Sequence, residues 1–320
     1  MFVNSLNIKE FRGIKYCKGR IKFSNFTVII GRNNSGKSTI LEALSLLPHP
    51  EIRNEIDNER KSSFLRRLHP GSFARLLYLY AGTSILDYEL KNIFLTINID
   101  QFSFYTYLEG GIKVNPEEIA SQLGTETKYL PGLVIFIPDT ADILNKLEGR
   151  LEVHKEILTK KGVHINLAKI LNEFVNDTYS EIVFLNPISL RKVYANDNTA
   201  YLRLGELGSG AEKVIKIMAF LEAFSPKLVI IDDFEARLHP SLVKLFLKWL
   251  KEKDWQTIIS THSIDVLYHL VDINPPDTTI LQLNKSNEDI LGHQILTLEQ
   301  IEDILDANND PRLLVDTLGL

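Results

Sequence analysis

The sequence has little of what marks secreted, membrane-spanning or strongly basic nucleic-acid-binding proteins. Cys17 is the only cysteine in 320 residues, which excludes an intrachain disulfide and a cysteine-based zinc site. Apolar runs such as residues 132–137 have the length of a strand and fall far short of a membrane span. The net charge of −5 argues against a dedicated nucleic-acid binder. With charges early in the N-terminal segment, these absences predict a soluble cytoplasmic protein with no membrane segment.

The composition, 44% hydrophobic and 24% charged, is that of a globular protein with a sizeable core. Apolar periodicity predicts strands that alternate with helices in the C-terminal half, which is typical of parallel strand pairing. The middle of the chain predicts antiparallel strands and a helical insertion. Predicted helices cover 37–47, 116–124, one or two parts of 139–178, 209–224 and 299–305, and residues 51–75 are predicted to be helical or irregular. Predicted strands cover 2–11, 25–30, 92–100, 102–108, 132–137, 181–185, 190–195, 199–204, 227–232, 257–260, 278–283 and 290–298.

A glycine-rich loop lies between the predicted strand 25–30 and the predicted helix that follows it. Its sequence fits the pattern G-x-x-x-x-G-K-[ST], in which the backbone N–H groups and the helix N-terminus surround the phosphates of a nucleotide. The lysine then reaches the terminal phosphates, and the serine hydroxyl is a magnesium ligand. The strand–loop–helix context makes a chance match a poor explanation. The predicted nucleotide-binding residues are Gly31, Arg32, Asn33, Asn34, Ser35, Gly36, Lys37, Ser38 and Thr39.

Two further strand ends carry polar residues that suit such a site. Asp232 follows four apolar residues, so we expect its carboxylate at the ligand edge of the sheet, where it would bind Mg²⁺ together with Ser38. His262, in Ser-Thr-His-Ser at 260–263, follows the next strand and is a candidate for contact with the γ-phosphate or the attacking water. The alternative for His262 is a helix-capping cluster that contains an incidental histidine.

A second glycine-rich stretch, residues 204–213, precedes another predicted helix. Ser209 and the glycines around it would form a second anion-binding element at a helix N-terminus. One nucleotide does not need two such elements in one chain. The alternative, compatible with the first, is a capping box with Ser209 at the N-cap and Glu212 at N3.

These four motifs, in this order and spacing, resemble the ATPase heads of ABC type. The residues involved are 31–39, 207–211, 228–233 and 260–263. The non-transporter branch (RecF-like, SMC-like and OLD-like ATPases) is the nearest resemblance. It implies an α/β P-loop NTPase fold with a parallel core sheet, an antiparallel β subdomain and a small helical insertion. We expect a single ATPase domain over 1–320, with a small insertion or lid at 102–180. The broken middle segment and short tail predict neither a long coiled coil nor a nuclease domain.

The resemblance also implies roles for individual residues. ATP bound by one chain would be closed over by Ser209 and Gly210 of a second chain in a head-to-head homodimer. His262 becomes a γ-phosphate sensor, and Arg12 is expected near the nucleotide, with an exposed strand-end arginine as its alternative.

The chain departs from the family pattern at its expected catalytic base. Asp233 stands where the family has glutamate, and its side chain is one methylene shorter. Glu235, two residues on, either compensates or shapes the loop. The glutamine of the family's Q-loop is left open between Gln101 and Gln122.

Three functions follow as alternatives. The first is Mg²⁺-dependent ATP hydrolysis that opens and closes a dimer in DNA repair, DNA processing or defence against mobile elements. The second is a nucleotide-gated module that hydrolyses little and recruits a separate effector such as a nuclease. The third, disfavoured by the N-terminus and signature, is a transporter ATPase subunit. For DNA contact the candidate is the segment 61–75, which carries four cations and no acidic residue. Its alternative is an ordinary solvated face.

Overall fold

The computed structural model describes residues 1–175, 177–195 and 198–313. The helices over these residues are α1 (Lys37–Ser45), α2 (Lys61–Leu68), α3 (Pro116–Gln122), α4 (Leu130–Leu133), α5 (Ile143–Val153), α6 (Lys155–Lys160), α7 (Val163–Asn172), α8 (Ser209–Phe224), α9 (Pro240–Lys251), α10 (Ile264–Ile273) and α11 (Leu298–Asp306). The strands are β1 (Val3–Phe11), β2 (Ile14–Cys17), β3 (Ile21–Lys22), β4 (Phe26–Gly31), β5 (Ser84–Leu90), β6 (Ile93–Ile99), β7 (Phe104–Leu108), β8 (Ile112–Lys113), β9 (Val134–Ile137), β10 (Glu181–Val183), β11 (Ser189–Val193), β12 (Thr199–Arg203), β13 (Leu228–Ile231), β14 (Gln256–Ser260), β15 (Thr278–Lys285) and β16 (Ile290–Leu296).

A large mixed sheet organises the molecule. Its strand order is β8-β7-β6-β5-β1-β2-β16-β15-β4-β14-β13-β9, with β3 paired to β1. The end formed by β15, β4, β14, β13 and β9 is parallel, whereas β8 through β2 is antiparallel. The predicted combination of a parallel core and an antiparallel β subdomain is therefore confirmed. Strands β10, β11 and β12 form a separate antiparallel sheet.

Burial patterns explain why the two ends of the sheet differ. Every residue of β4, β9, β13 and β14 is buried, because helices cover both faces of the parallel end. Alternate residues of β4 enter two different cores: Val28 and Ile30 pack with α8, α9 and α10, and Ile29 packs with α1. In β5 the residues alternate between buried and half-buried, as expected for an antiparallel strand with one wetter face.

The middle of the chain differs in detail from its sequence-based prediction. The described residues within 139–178 form three helices, α5, α6 and α7, where one or two were expected. Gly162, in a left-handed conformation, separates α6 from α7. Within 102–180, the strands β7, β8 and β9 belong to the large sheet, and α5 and α7 pack on α8. Over the described residues, no helix is long and apolar enough to cross a membrane.

The four cations of segment 61–75 differ in exposure: Arg66 and Arg75 are exposed, whereas Lys61 and Arg67 are engaged within the protein. Lys61 is buried, and its ammonium donates to the carbonyl of Val134 at 3.1 Å and to that of Leu47. Arg67 pairs with Asp57 and Glu59. Lys61 itself therefore fits neither the DNA-contact nor the solvated-face interpretation, whereas the exposed Arg66 and Arg75 leave both open for the rest of the segment.

Lys61 gives the fold a testable dependence on pH. Burial lowers its pKa from 10.5 to about 7, with Glu55 opposing part of the shift. Between these values the unfolded chain holds a proton that the folded protein lacks, so the folded state gains stability as pH rises. Urea unfolding of the protein and of Lys61→Met should show the wild type gaining relative stability from about pH 7 to about pH 9, by at most about 1.4 kcal/mol per pH unit. A pH-independent difference would contradict a neutralised Lys61.

Candidate functional site

The glycine-rich loop takes a backbone path that only its own glycines allow. Gly31 ends β4 with φ +150°, and a Cβ there would lie 2.6 Å from Ser35 Oγ and 2.8 Å from the carbonyl oxygen of Leu283. Gly36, with φ +101°, caps α1 at its N-terminus. The loop thereby wraps in front of α1, whose first N–H groups have no partner within the helix.

Lys37 is the first residue of α1 and folds back into the loop. Its ammonium is buried and donates to the carbonyl oxygens of Gly31 at 2.9 Å and Arg32 at 3.0 Å. Burial lowers the pKa of Lys37, and the carboxylates of Asp233, Asp232 and Glu235 oppose that shift. Near it, the buried hydroxyl of Ser35 has no hydrogen-bond partner in the described structure. Both groups suit an incoming phosphate.

Parallel pairing brings the end of β13 beside the end of β14. Ser260 donates its hydroxyl proton to Asp232 Oδ1 at 2.5 Å and accepts the Asp233 N–H at 2.9 Å. The Asp232 N–H donates to Ile137 of β9 at 3.0 Å. One serine thus orients both acidic residues, a role that the sequence analysis did not assign to Ser260.

Asp233 and His262 face each other at this edge. The distance from Asp233 Oδ1 to His262 Nε2 is 3.7 Å, and each side chain is 41% exposed. Asp233 has a left-handed backbone, with φ +43°. Burial raises the pKa of the Asp233 carboxyl, Asp232 adds to the shift, and His262 opposes it. Asp233 is therefore a better proton acceptor than an ordinary aspartate.

Glu235 holds the backbone of the loop that carries His262. Its Oε1 accepts the His262 N–H at 2.7 Å, and its buried Oε2 lacks a hydrogen-bond partner among the described residues. Of the two roles considered for Glu235, this geometry favours shaping the loop.

Arg12 also lies beside the glycine-rich loop. Its guanidinium donates to Glu42 of α1 at 2.5 Å, and Glu42 is 3.0 Å from His69. Arg12 lines the P-loop cavity, a space of about 330 Å³ whose other lining residues are Gly13, Asn33, Asn34, Ser35, Gly36, Lys37, Ser38, Thr39, His262 and Lys285. Two larger cavities, of about 690 and 580 Å³, share part of this rim and leave room for a nucleoside.

Ser209 and Gly210 begin α8 and are not among the residues that line this cavity. The predicted capping box is wrong, because Gly208 occupies the N-cap, no side chain caps the helix, and Glu212 instead accepts a hydrogen bond from Lys216. Ser209 is exposed, and the N-terminus of α8 packs on the loop after β13, where a Cβ on Gly210 would lie 2.9 Å from Arg237 O.

Asp139, which the sequence analysis missed, lies just after β9 at the same sheet edge as Asp232. It accepts a hydrogen bond from Arg237 at 2.6 Å, and Lys213 of α8 is 3.9 Å away. Its place after an apolar strand was the available signal. Gln101 and Gln122 are exposed, and neither lines the P-loop cavity.

No group of three His, Cys, Asp or Glu side chains in the described ranges is arranged to hold a metal ion. A magnesium ion here would depend on oxygens supplied by a nucleotide.

Comparison with known proteins yields two family matches and two curated relatives. A family described as "AAA ATPase domain" matches residues 1–101, and one described as "AAA domain, putative AbiEii toxin, Type IV TA system" matches 157–267. An "ATP/GTP phosphatase" of Helicobacter pylori is 24% identical over 82% of this chain and 85% of its own length. The "DNA replication and repair protein RecF" of Rickettsia typhi is 25% identical over 58% of this chain and 56% of its own length.

Among solved structures, an SMC head bound to the C-terminal winged-helix domain of ScpA has the same fold. It superposes with a TM-score of 0.65 over 93% of this chain and 99% of its own length, at 16% identity.

Substitution of Lys37 tests the cavity as a phosphate site. Lys37→Ala should abolish measurable ATP turnover and weaken ATP binding by about tenfold or more, because charge-assisted hydrogen bonds to phosphate are lost. Phosphate release and calorimetric titration with ATP measure the two effects. The control is Lys61→Met, which replaces another buried lysine, outside this cavity, and should keep turnover. Wild-type turnover in Lys37→Ala would overturn the assignment.

Proposed function

We propose that this chain, an ATPase head of the RecF/SMC-like AAA type, hydrolyses ATP at the carboxyl ends of β4, β13 and β14, and that a second copy of the chain completes the site. The observation that carries the proposal is Lys37, at the N-terminus of α1. Its buried ammonium has, within the described part of the chain, loop carbonyls alone as hydrogen-bond acceptors.

Nucleotide binding is supported by polar side chains of the glycine-rich loop that lack a strong hydrogen-bond acceptor or donor within the described structure. Ammonium donors gain more from a phosphate than from a neutral carbonyl. Lys37 would therefore exchange its bonds to Gly31 and Arg32 for phosphate oxygens, while the N–H groups of residues 33–39 surround the anion. The hydroxyl of Ser35, which has no hydrogen-bond partner among the described residues, also supports the binding of a phosphate in this loop.

Magnesium is the cofactor that this residue set suits. Ser38 lines the P-loop cavity, and Asp232 is oriented by Ser260 at the adjoining strand end. When bound, the ion would neutralise the negative charge that develops on the phosphate oxygens during phosphoryl transfer. Hydroxyl, carboxylate and phosphate oxygens are the hard ligands that Mg²⁺ takes, and the lack of a dedicated protein cage among the described residues is usual for it.

Asp233 is the proposed general base. It would accept a proton from the attacking water, and the rise in its pKa on burial increases its basicity. His262, which lies across from Asp233 and lines the same cavity, would contact the γ-phosphate and orient the water. The shorter aspartate side chain predicts slow to moderate turnover, because a misplacement of about 1 Å can cost about a hundredfold in rate.

A second chain would supply Ser209 and Gly210. Within one chain these residues lie outside the P-loop cavity, yet they begin a 16-residue helix and Ser209 is exposed. The free N–H groups at that helix start are suited to the γ-phosphate of a nucleotide on the facing head. Dimer opening and closing would then follow ATP binding and hydrolysis.

The process that this ATPase serves is proposed from its relatives alone. The RecF relative is named for DNA replication and repair, and one family match is described as a putative toxin component, which supports DNA processing or defence against mobile elements. In segment 61–75 the exposed cations available for DNA contact are Arg66 and Arg75, since Lys61 is buried and Arg67 is paired. The second candidate is a nucleotide-gated module that recruits an effector such as a nuclease, and the shortened base at Asp233 favours it.

Phosphate release from MgATP over a range of protein concentrations separates these candidates. If two chains build each site, specific activity rises with concentration. Asp233→Asn keeps the side-chain size but removes the base, so we expect turnover to fall by about a hundredfold with ATP binding retained. Asp254→Asn, an exposed aspartate elsewhere, should match the wild type. Binding without turnover in the wild type at every concentration would favour the recruiting module, and full turnover in Asp233→Asn would refute the base assignment.

A further inference from the structure

The chain returns to the candidate site after α11. Gln282, a buried residue of β15, donates its side-chain amide proton to the carbonyl of Pro311 at 2.6 Å. Pro311 is itself buried. This contact fixes the segment 310–313 against the end of the parallel sheet, more than forty residues beyond the loop that carries His262.

Arg312 in this segment contacts that loop directly. Its guanidinium forms a two-pronged pair with Asp310, with Nε 2.8 Å from Oδ1 and Nη2 2.5 Å from Oδ2. The remaining nitrogen, Nη1, donates to the carbonyl oxygen of His262. Because the guanidinium is planar and rigid, the pair with Asp310 sets the direction in which Nη1 points.

The main-chain N–H and carbonyl groups of His262 are therefore each bound by a residue from a different part of the chain. Glu235, in the loop after β13, accepts the His262 N–H at 2.7 Å, and Arg312 donates to the His262 carbonyl. The imidazole between them lines the P-loop cavity and lies 3.7 Å from Asp233. With both main-chain groups fixed, the point from which the ring extends toward a γ-phosphate is set, and only its side-chain rotamer remains to be chosen.

We propose that Arg312 is a positioning residue for ATP hydrolysis, which acts by fixing the His262 main chain from the C-terminal segment. The inference rests on the proposed role of His262 in turnover. Arg312 does not line the P-loop cavity and is not a catalytic residue.

The location of Arg312 predicts an effect on rate rather than on folding or binding. Its side chain is 29% exposed and that of Asp310 is 22% exposed, and ion pairs in contact with solvent contribute little to stability. The same hydrogen bond helps to place the backbone that carries the imidazole, and a misplacement of about 1 Å can cost about a hundredfold in rate. Loss of Arg312 should lower kcat and leave KM for ATP near its wild-type value.

Steady-state kinetics of Arg312→Ala and Arg312→Lys test this expectation. Arg312→Ala should lower kcat about tenfold, with KM for ATP changed by less than about twofold. Lysine can still donate to the His262 carbonyl but lacks the fork, so Arg312→Lys should recover part of the loss. Asp310→Asn should give an intermediate kcat. Arg53→Ala is the matched control, because Arg53 also donates to a loop carbonyl, that of Asn58 at 2.7 Å, outside the cavity, and should keep wild-type kinetics.

A double-mutant comparison with His262→Ala separates positioning from a general structural effect. If Arg312 acts through the imidazole, Arg312→Ala in the His262→Ala background should lower kcat by less than about twofold further. Wild-type kcat in Arg312→Ala, or a full further loss in the double variant, would overturn the inference while His262 kept its role. Full turnover in His262→Ala would overturn both the proposed role of His262 and this inference.

Discussion

The site depends on the in-register parallel pairing of β9, β13, β14 and β4. Ile231, the last residue of β13, lies level with Ile137 of β9 and Ile259 of β14, and Ser260 lies level with Ile29 of β4. Because parallel strands end on the same side, the residues that follow them converge at one edge. The glycine-rich loop, Asp232 and His262 meet there although they are up to about 230 residues apart in the chain.

The apolar character of these strands makes that pairing stable and unique. All residues of the four strands are buried, so a one-residue slip would exchange the sides facing the two cores. The backbone conformations with positive φ, which most residues adopt only at a cost, lie at or just after the ends of these strands. Gly31 and Gly36 adopt positive φ, and Asp233 and Arg237 do so without being glycine. Ser260 and Asp139 hold the loop after β13 in this form through hydrogen bonds.

Features that arise from local interactions could be predicted from the sequence, whereas those that depend on contacts between distant parts of the chain could not. Strand and helix periodicity and the nucleotide loop are local patterns, so α8 and the strand–loop–helix around Lys37 were predicted closely. The strand β5 was not predicted, and the long insertion contained one helix more than expected. The burial of Lys61 was not predicted, because a charged side chain is expected to be exposed to solvent. In the structure the carbonyls of Leu47 and Val134 accept hydrogen bonds from its ammonium. Ser209 missed the N-cap by one residue because Gly208 takes the backbone conformation that precedes the helix. Asp139 had a local signal in its place after an apolar strand, whereas the contact of Arg312 with His262 joins distant parts of the chain and no local pattern records it.

The central claim concerns the ATP site, which is proposed to take its phosphate-binding loop from one chain and Ser209 from another. Mixing two inactive variants tests this claim directly. Lys37→Ala has no working phosphate-binding loop but an intact α8 N-terminus, whereas Ser209→Arg keeps the loop and has a blocked α8 N-terminus. If sites are shared, each variant alone is inactive, and an equal mixture should recover about a quarter of wild-type ATP turnover, from one working site in each mixed dimer. No recovery in the mixture, or full turnover in Ser209→Arg alone, would contradict a site built from two chains.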